Sequence, residues 1–382
     1  MSYDVSHSQA ATAARAIMEA KIDSGRASAM KLFEHVVTNA PQDMVAPGSR
    51  IAFGMDTTTV PQLAMVVGGN QALTVHRHAL GQIASRAGLP GAYINDLVTA
   101  RESWKNKLGT DTLNEFFHNE HVIRRDDASK NRHLIRAVNG QARGFLSDRY
   151  RRIDTRPLVE AYAEECNKLG AVPVEGTVTD TRVALKAFLP MVFEPVPNEV
   201  MCLGLEWSNS DFGAGKHAVR MFILRLWCLN GATMEDVLSQ VHLGGQLSQD
   251  VEFSQRTYES DTRTSVFALR DIIKNTLGPA NTSVILETIR RANAEEINWR
   301  STAPLLAKKL LKEELKSVRD AFESNDVINL PAAKSVWRVS NALSWIAGKT
   351  EDEDRKLELQ RLAGAVMGGA KAINAATEIE AA

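Results

Sequence analysis

The sequence predicts an α+β protein: a largely antiparallel β-β-α-β-β-β central sheet, flanked by an N-terminal α/β region and a helical C-terminal region. Three observations carry this. Asn139-Gly140 joins two apolar runs, HLIRAV and ARGFLSDRY, and Asn-Gly is the strongest short hairpin signal. Four further strand-like runs follow one sharply delimited helix. From about residue 233 the strand pattern stops and helical periodicity takes over. For the 382 residues this sets four regions: 1–121, mainly helical; 122–232, the α+β core; 233–370, helical; and 371–382, a disordered tail.

Taken in order, residues 8–38 place Ala14, Ile17, Met18 and Ile22 at helical spacing and read as one or two helices, interrupted at Gly25. Residues 41–61 are turn-rich. Strand candidates lie at 50–54 and 62–67, and Gly68-Gly69-Asn70 closes that unit. Thr74 is positioned to cap HRHALGQIASRAG, which stops at Gly88; YINDLVTARESW and TLNEFFHNEH supply two more short amphipathic helices. After the hairpin, PLVEAYAEECNKLG (157–170) is a helix with proline at its start and glycine at its end. VPVEGTVT and RVALKAFLP turn at Asp180-Thr181. VMCLGLEWSNS and KHAVRMFILRLWCLNG turn through residues 210–215. The expected layering is a sheet with helices on one face. Residues 249–277, 281–297, 302–325, 331–347 and 351–368 carry helical periodicity, with breaks at Gly278-Pro279, Pro304 and Pro331.

Composition excludes little. Hydrophobic content of 44% and charged content of 24% are those of a globular chain, and formal net charge is -1, so any electrostatic function must be local. Cys166, Cys202 and Cys228 are widely spaced and read as buried thiols of a reducing compartment. The N-terminus lacks the pattern of a secretory signal and no apolar run reaches the roughly 20 residues of a membrane span. The expected location is the cytoplasm, of the host if the chain is phage-encoded.

Charge is concentrated in one place. Between Arg124 and Arg156 stand ten Lys/Arg (Arg124, Arg125, Lys130, Arg132, Arg136, Arg143, Arg149, Arg151, Arg152, Arg156) against four acids, Asp126, Asp127, Asp148 and Asp154. Arginine forks contact two phosphate oxygens or stack on a base, and Tyr150 supplies an aromatic for stacking. The competing explanation is a solvated hairpin whose arginines pair with acids on adjacent helices. Strand alternation places Arg220 and Arg225 on opposite faces, so one can face a groove while the other needs a buried partner.

Other motifs are weaker. SDFGAGKH lacks the spacing of a P-loop and has His217 where Ser/Thr would hold magnesium, which rejects an NTPase; Lys216 on its glycine-rich tip remains either a phosphate contact or part of a plain turn. His76 and His78, or His118 and His121, have no Cys pair or HExxH partner, so no metal site is expected, and no cofactor. No GxSxG is present and no cysteine has an adjacent basic partner, so no catalytic residue is assigned. Trp337, Asn341 and Trp345 form one helical stripe, read as core or as an oligomer interface.

Four segments carry a family resemblance. RAVNGQARGFLSDRYRRIDTRPLVEA, LPGAYINDL, SNSDFGAGKHAVRMFILRLWCLNGAT and WRVSNALSWIAGKTEDEDRKLELQRLAG resemble, in this order, motifs of phage/plasmid-like proteins catalogued as a domain of unknown function. They span about residues 85–365. Phe212 before Gly213, and Gly231-Ala232, depart from that pattern. The β-β-α-β-β-β order with an arginine-rich hairpin is also similar to the Redβ/Erf class of single-strand annealing proteins. That resemblance implies rings or filaments holding single strands in a basic groove without ATP. The first expectation is therefore a single-stranded DNA-binding and annealing protein that forms a homo-oligomer. Its contacts would be Arg132, Arg136, Arg143, Arg149, Tyr150, Arg151, Arg152, Lys186, Lys216 and Arg220. The alternatives are a nucleic-acid-processing enzyme, with a site drawn from Asp148, Asp154, Asp211 or His217, and a phage structural or host-interaction protein.

Overall fold

The computed structural model describes residues 4–58, 60–70, 72–118, 132–227, 230–234, 254–324 and 330–369. Helix α1 (Gln9–Thr38) runs unbroken for 30 residues, its N-terminus capped by Ser8, whose Oγ accepts from the Ala11 amide. Gly25 does not interrupt it. The glycine lies where the helix presses on a strand backbone, and a Cβ there would stand 1.7 Å from the Val174 carbonyl oxygen. The residue that reads as a helix breaker is a point of close approach.

The chain then builds a first six-stranded sheet. Its strands are β1 (Gln42–Pro47), β2 (Ile51–Asp56), β3 (Gln62–Val67), β4 (Leu73–Val75), β5 (Arg132–Val138) and β6 (Gln141–Ser147), in the spatial order β1-β5-β6-β4-β3-β2. All pairs are antiparallel except β4 with β6. Asn139 and Gly140 take φ of 50° and 76°, the left-handed conformation a two-residue hairpin turn requires. Helices α2 (Arg77–Ala87), α3 (Gly91–Val98) and α4 (Ser103–His118) pack on this sheet through Ile83, Ile94, Leu97 and Leu113. His76 caps α2, its Nδ1 accepting from the His78 amide; Thr74 lies in β4. Gly88 ends α2 at φ 70°, as the sequence predicts.

Helix α5 (Thr155–Lys168) leads to a second sheet: β7 (Val172–Val178), β8 (Val183–Phe188), β9 (Phe193–Val196), β10 (Glu199–Asn209), β11 (Ala218–Arg225) and β12 (Asn230–Met234). The order is β12-β11-β10-β8-β7, with β9 also on β10 and every pair antiparallel. The mixed α+β class is thus borne out, but the expected single sheet is two. The hairpin β5–β6 belongs with the N-terminal strands, because β1 and β4 take its two edges.

The second sheet is covered on both faces, not one. Every residue of β10 is buried, so alternate side chains meet different partners. Val200 and Cys202 pack with Ala14, Met18 and Ile22 of α1. On the opposite face Leu205 and Trp207 pack with α5, and Met201 and Leu203 with the C-terminal helices. Those helices are α6 (Gln255–Thr276), α7 (Pro279–Ala294), α8 (Trp299–Leu306), α9 (Lys312–Glu323), α10 (Val336–Ala347) and α11 (Glu353–Gly368). Pro304 sits inside α8 without breaking it, and the expected 302–325 helix divides instead at residues 307–311. Trp337 of α10 is core, its indole donating to Glu199 Oε2 at 3.0 Å. The expected tail 371–382 and the boundary at 121–122 lie outside the described residues, as do Arg124, Arg125, Lys130 and Cys228. No described helix is long and apolar enough to cross a membrane.

Candidate nucleic-acid interface

The stretch richest in arginine, 132–156, crosses from the first sheet to α5, and its charges divide by what they meet. Arg136 is buried at the junction of the two sheets. Its Nε donates to Asp43 Oδ1 at 2.8 Å, Nη2 to Asp154 Oδ1 at 2.6 Å and Nη1 to the Asp211 carbonyl at 2.9 Å. Burial works against the charged form of Arg136, but Asp43, Asp211 and Asp154 outweigh it and hold the guanidinium more firmly protonated than usual. Arg151 is bidentate on Asp261 of α6. Arg152 faces Asp43 Oδ2 at 3.3 Å and lies 4.5 Å from the Tyr258 ring centre. The second sheet repeats the pattern. Lys186 donates to Glu175 Oε1 at 2.8 Å and Gln360 Oε1 at 2.7 Å, and Arg220 donates to Ser208 Oγ at 2.8 Å and faces Glu206 at 3.7 Å. Arg225, its expected counterpart on the other face, is also buried and paired, with Glu199.

Arg136, Lys186 and Arg220 are therefore corrected as phosphate contacts. They are at most 3% exposed, and their charge is already met by internal acids. Arg151 and Arg152 are committed to carboxylates as well; Arg151 with Asp261 of α6 is the pairing with an adjacent helix that the competing explanation describes, while Arg136 and Arg152 share Asp43 of β1. Arg143 lines a small pocket beside α1 and donates to the Asp180 carbonyl at 3.0 Å. Arg132 opens β5, and Lys216 follows the glycine-rich tip, each half-buried.

Arg149 and Tyr150 are different. They line a groove of about 950 Å³ between the two sheets. One wall is α2, from Arg77 at its start to Arg86 in its last turn. Another is Arg182 in the β7–β8 turn, and α11 closes the far side. The floor is the loop that follows β10. Phe212 is buried, and its carbonyl accepts from His78 Nε2 at 3.1 Å and Gln82 Nε2 at 2.9 Å. Gln82 Oε1 accepts in turn from the Phe145 amide of β6 at 2.7 Å, so one side chain ties loop, helix and strand together. Gly213 takes φ 74°, and a Cβ there would lie 2.7 Å from Leu146 Cδ2. Ser210 Oγ accepts from Ala214 N at 2.9 Å, and Asp211 Oδ1 accepts from Thr155 N and Oγ1, both at 2.9 Å. The loop rejected as a phosphate cradle is thus a fixed floor that also holds the start of α5.

Burial sets the titration of the floor. It pushes the Asp211 carboxyl up to about 6 against the pull of Arg136 and Thr155, pushes the Tyr150 hydroxyl up to about 12, and depresses His78. The Tyr150 hydroxyl reaches the Ser210 carbonyl at 3.4 Å and stays protonated at neutral pH. Among the described residues no group of three His, Cys, Asp or Glu side chains is placed to hold a metal ion.

Of the arginines that line the groove, Arg77 and Arg149 have neither a carboxylate partner nor a side-chain hydrogen bond among the described residues. Arg77, Arg86 and Arg182 escaped the sequence reading because they are isolated in the chain and converge only through folding. No family model, no curated protein and no solved structure matches the chain.

Proposed function

We propose that this chain binds single-stranded DNA in the groove between its two sheets, and that it promotes annealing without ATP. The observation that carries the reading is the convergence of unpaired Arg77 and Arg149 with Arg86, Arg182 and Tyr150 on one concave surface. An unpaired surface arginine is ordinary by itself. In a chain with 45 basic against 46 acidic residues, where the buried arginines are paired, two left open beside an aromatic ring are a selective arrangement. Guanidinium groups neutralise phosphates while a ring stacks on a base in a sequence-tolerant way. Annealing would require several copies along one strand, a homo-oligomer whose size light scattering with and without oligonucleotide would give.

The test is fluorescence anisotropy of a labelled single-stranded oligonucleotide at several salt concentrations. For single strands the slope of log affinity against log salt is roughly -0.7 per neutralised phosphate. Removing two contacts in the Arg77→Ala, Arg149→Ala double variant should flatten that slope by about 1.4. A double variant with unchanged affinity and slope would remove the groove from the binding site.

A further inference from the structure

The wall of the groove contributed by α11 has the opposite sign. Asp354 and Glu358 lie one helical turn apart and face the space that Arg77, Arg149 and Arg182 line. A groove built only to hold phosphate has no use for carboxylates, which repel it. Neither acid is needed as a helix cap, because Asp352 does that work, its side chain accepting from the Arg355 amide at 3.0 Å. Asp354 pairs with Arg182 Nη1 at 3.8 Å through Oδ1, which is enclosed and accepts no hydrogen bond, while its side chain remains 41% exposed. Glu358 gives Oε2 to Arg355 at 2.7 Å, and its side chain remains 36% exposed.

We infer that Asp354 and Glu358 are base-reading residues. They accept hydrogen bonds from the exocyclic amino groups of a strand whose phosphates lie along the arginine side, so the groove prefers amino-bearing bases, cytosine above all among pyrimidines. The chemistry is that of a carboxylate accepting from cytosine N4, which uracil and thymine replace with a carbonyl oxygen. A carbonyl set against a carboxylate leaves two acceptors facing each other, which costs affinity as well as failing to add any. The two walls would also orient the strand, phosphates towards α2 and base edges towards α11.

The inference rests on the proposed groove, and the experiment separates the two. Anisotropy titrations compare oligo(dC) with oligo(dU) of equal length, at one salt concentration and neutral pH; the two bases differ at the group on carbon 4 and at N3, which carries a proton in uracil and none in cytosine. The wild-type protein should bind oligo(dC) roughly fivefold to tenfold more tightly. The Asp354→Asn, Glu358→Gln variant should bring the ratio close to one while binding oligo(dU) more tightly, because two like charges near the phosphates are gone. A melting profile matching wild type confirms that α11 is intact in that variant. Equal binding of the two oligonucleotides by wild type, or a preference that survives in the variant, overturns base reading and leaves the groove standing. Absence of binding to either oligonucleotide overturns both.

Discussion

Replacing Arg136 with Met should weaken the junction between the two sheets while sparing the groove. The substitution keeps most of the aliphatic stem but leaves Asp43 and the Asp211 carbonyl without the cation that now meets them at 2.8 and 2.9 Å, and Asp154 without its partner at 2.6 Å. Breaking a buried charge network from one side costs about 3–5 kcal/mol. Asp154 is 53% exposed and Arg152 still faces Asp43, so water and a second cation absorb part of the loss. The lower end, about 3 kcal/mol, is therefore expected. Urea denaturation followed by tryptophan fluorescence and far-UV circular dichroism would measure it as a lowered midpoint. Arg149→Ala is the matched control from the same arginine-rich stretch and should stay within about 0.5 kcal/mol of wild type while losing oligonucleotide affinity. The reasoning fails if Arg136→Met leaves the midpoint unchanged and weakens binding as much as Arg149→Ala does.

The remaining predictions use other parts of the fold. A folded carboxyl raised to about 6 holds its proton more tightly than the unfolded chain. The contribution of Asp211 to stability is therefore complete below about pH 4 and is lost as pH climbs to about 6. Asp211→Asn, which keeps an acceptor for Thr155, should gain on wild type between pH 4 and pH 7, by no more than about 3 kcal/mol, in melting curves taken across that range. Gly25→Ala should destabilise by about 1–3 kcal/mol or more in the same denaturation assay, because α1 must lift from β7 to admit a methyl group. Burial raises the thiol of Cys166 to about 12 and that of Cys202 higher still, so both should resist thiol reagents at pH 8 in the native protein and react on unfolding, as mass spectrometry would record.

Local signals in the sequence were reliable where geometry is local. The Asn139-Gly140 turn, the Gly88 stop and the turn at Asp180-Thr181 all fall where their residues demand particular backbone angles or solvent exposure. Long-range pairing was not legible. Nothing in HLIRAV says that its outer neighbour is β1, about 90 residues earlier, rather than β7. Gly25 was misread because a glycine in a helix signals either a break or a close contact, and only the strand lying on it decides. For the site, arginine density located Arg149 and Tyr150 but could not separate them from Arg136, Arg151 and Arg152. The carboxylates that neutralise those three are contributed by Asp43, Asp154 and Asp261, and all but Asp154 are far away in the chain. Charge counting along a chain finds where cations are made; only the fold determines which remain unspent.

The order of the elements also has a consequence for biosynthesis. All six strands of the first sheet lie between residues 42 and 147, so they can pair early as the chain is made. Helix α1, although translated first, has an apolar stripe whose partners, Val174, Phe188, Cys202 and Phe222, come long after it. The groove comes last: its floor is Gly213 and Ala214, and its far wall, Asp354 and Glu358, lies in the final described helix. A nascent chain on the ribosome, surrounded by ribosomal and messenger RNA, thus carries its cationic residues well before they converge. The protein gains its cleft only after Asp354 and Glu358 have been translated.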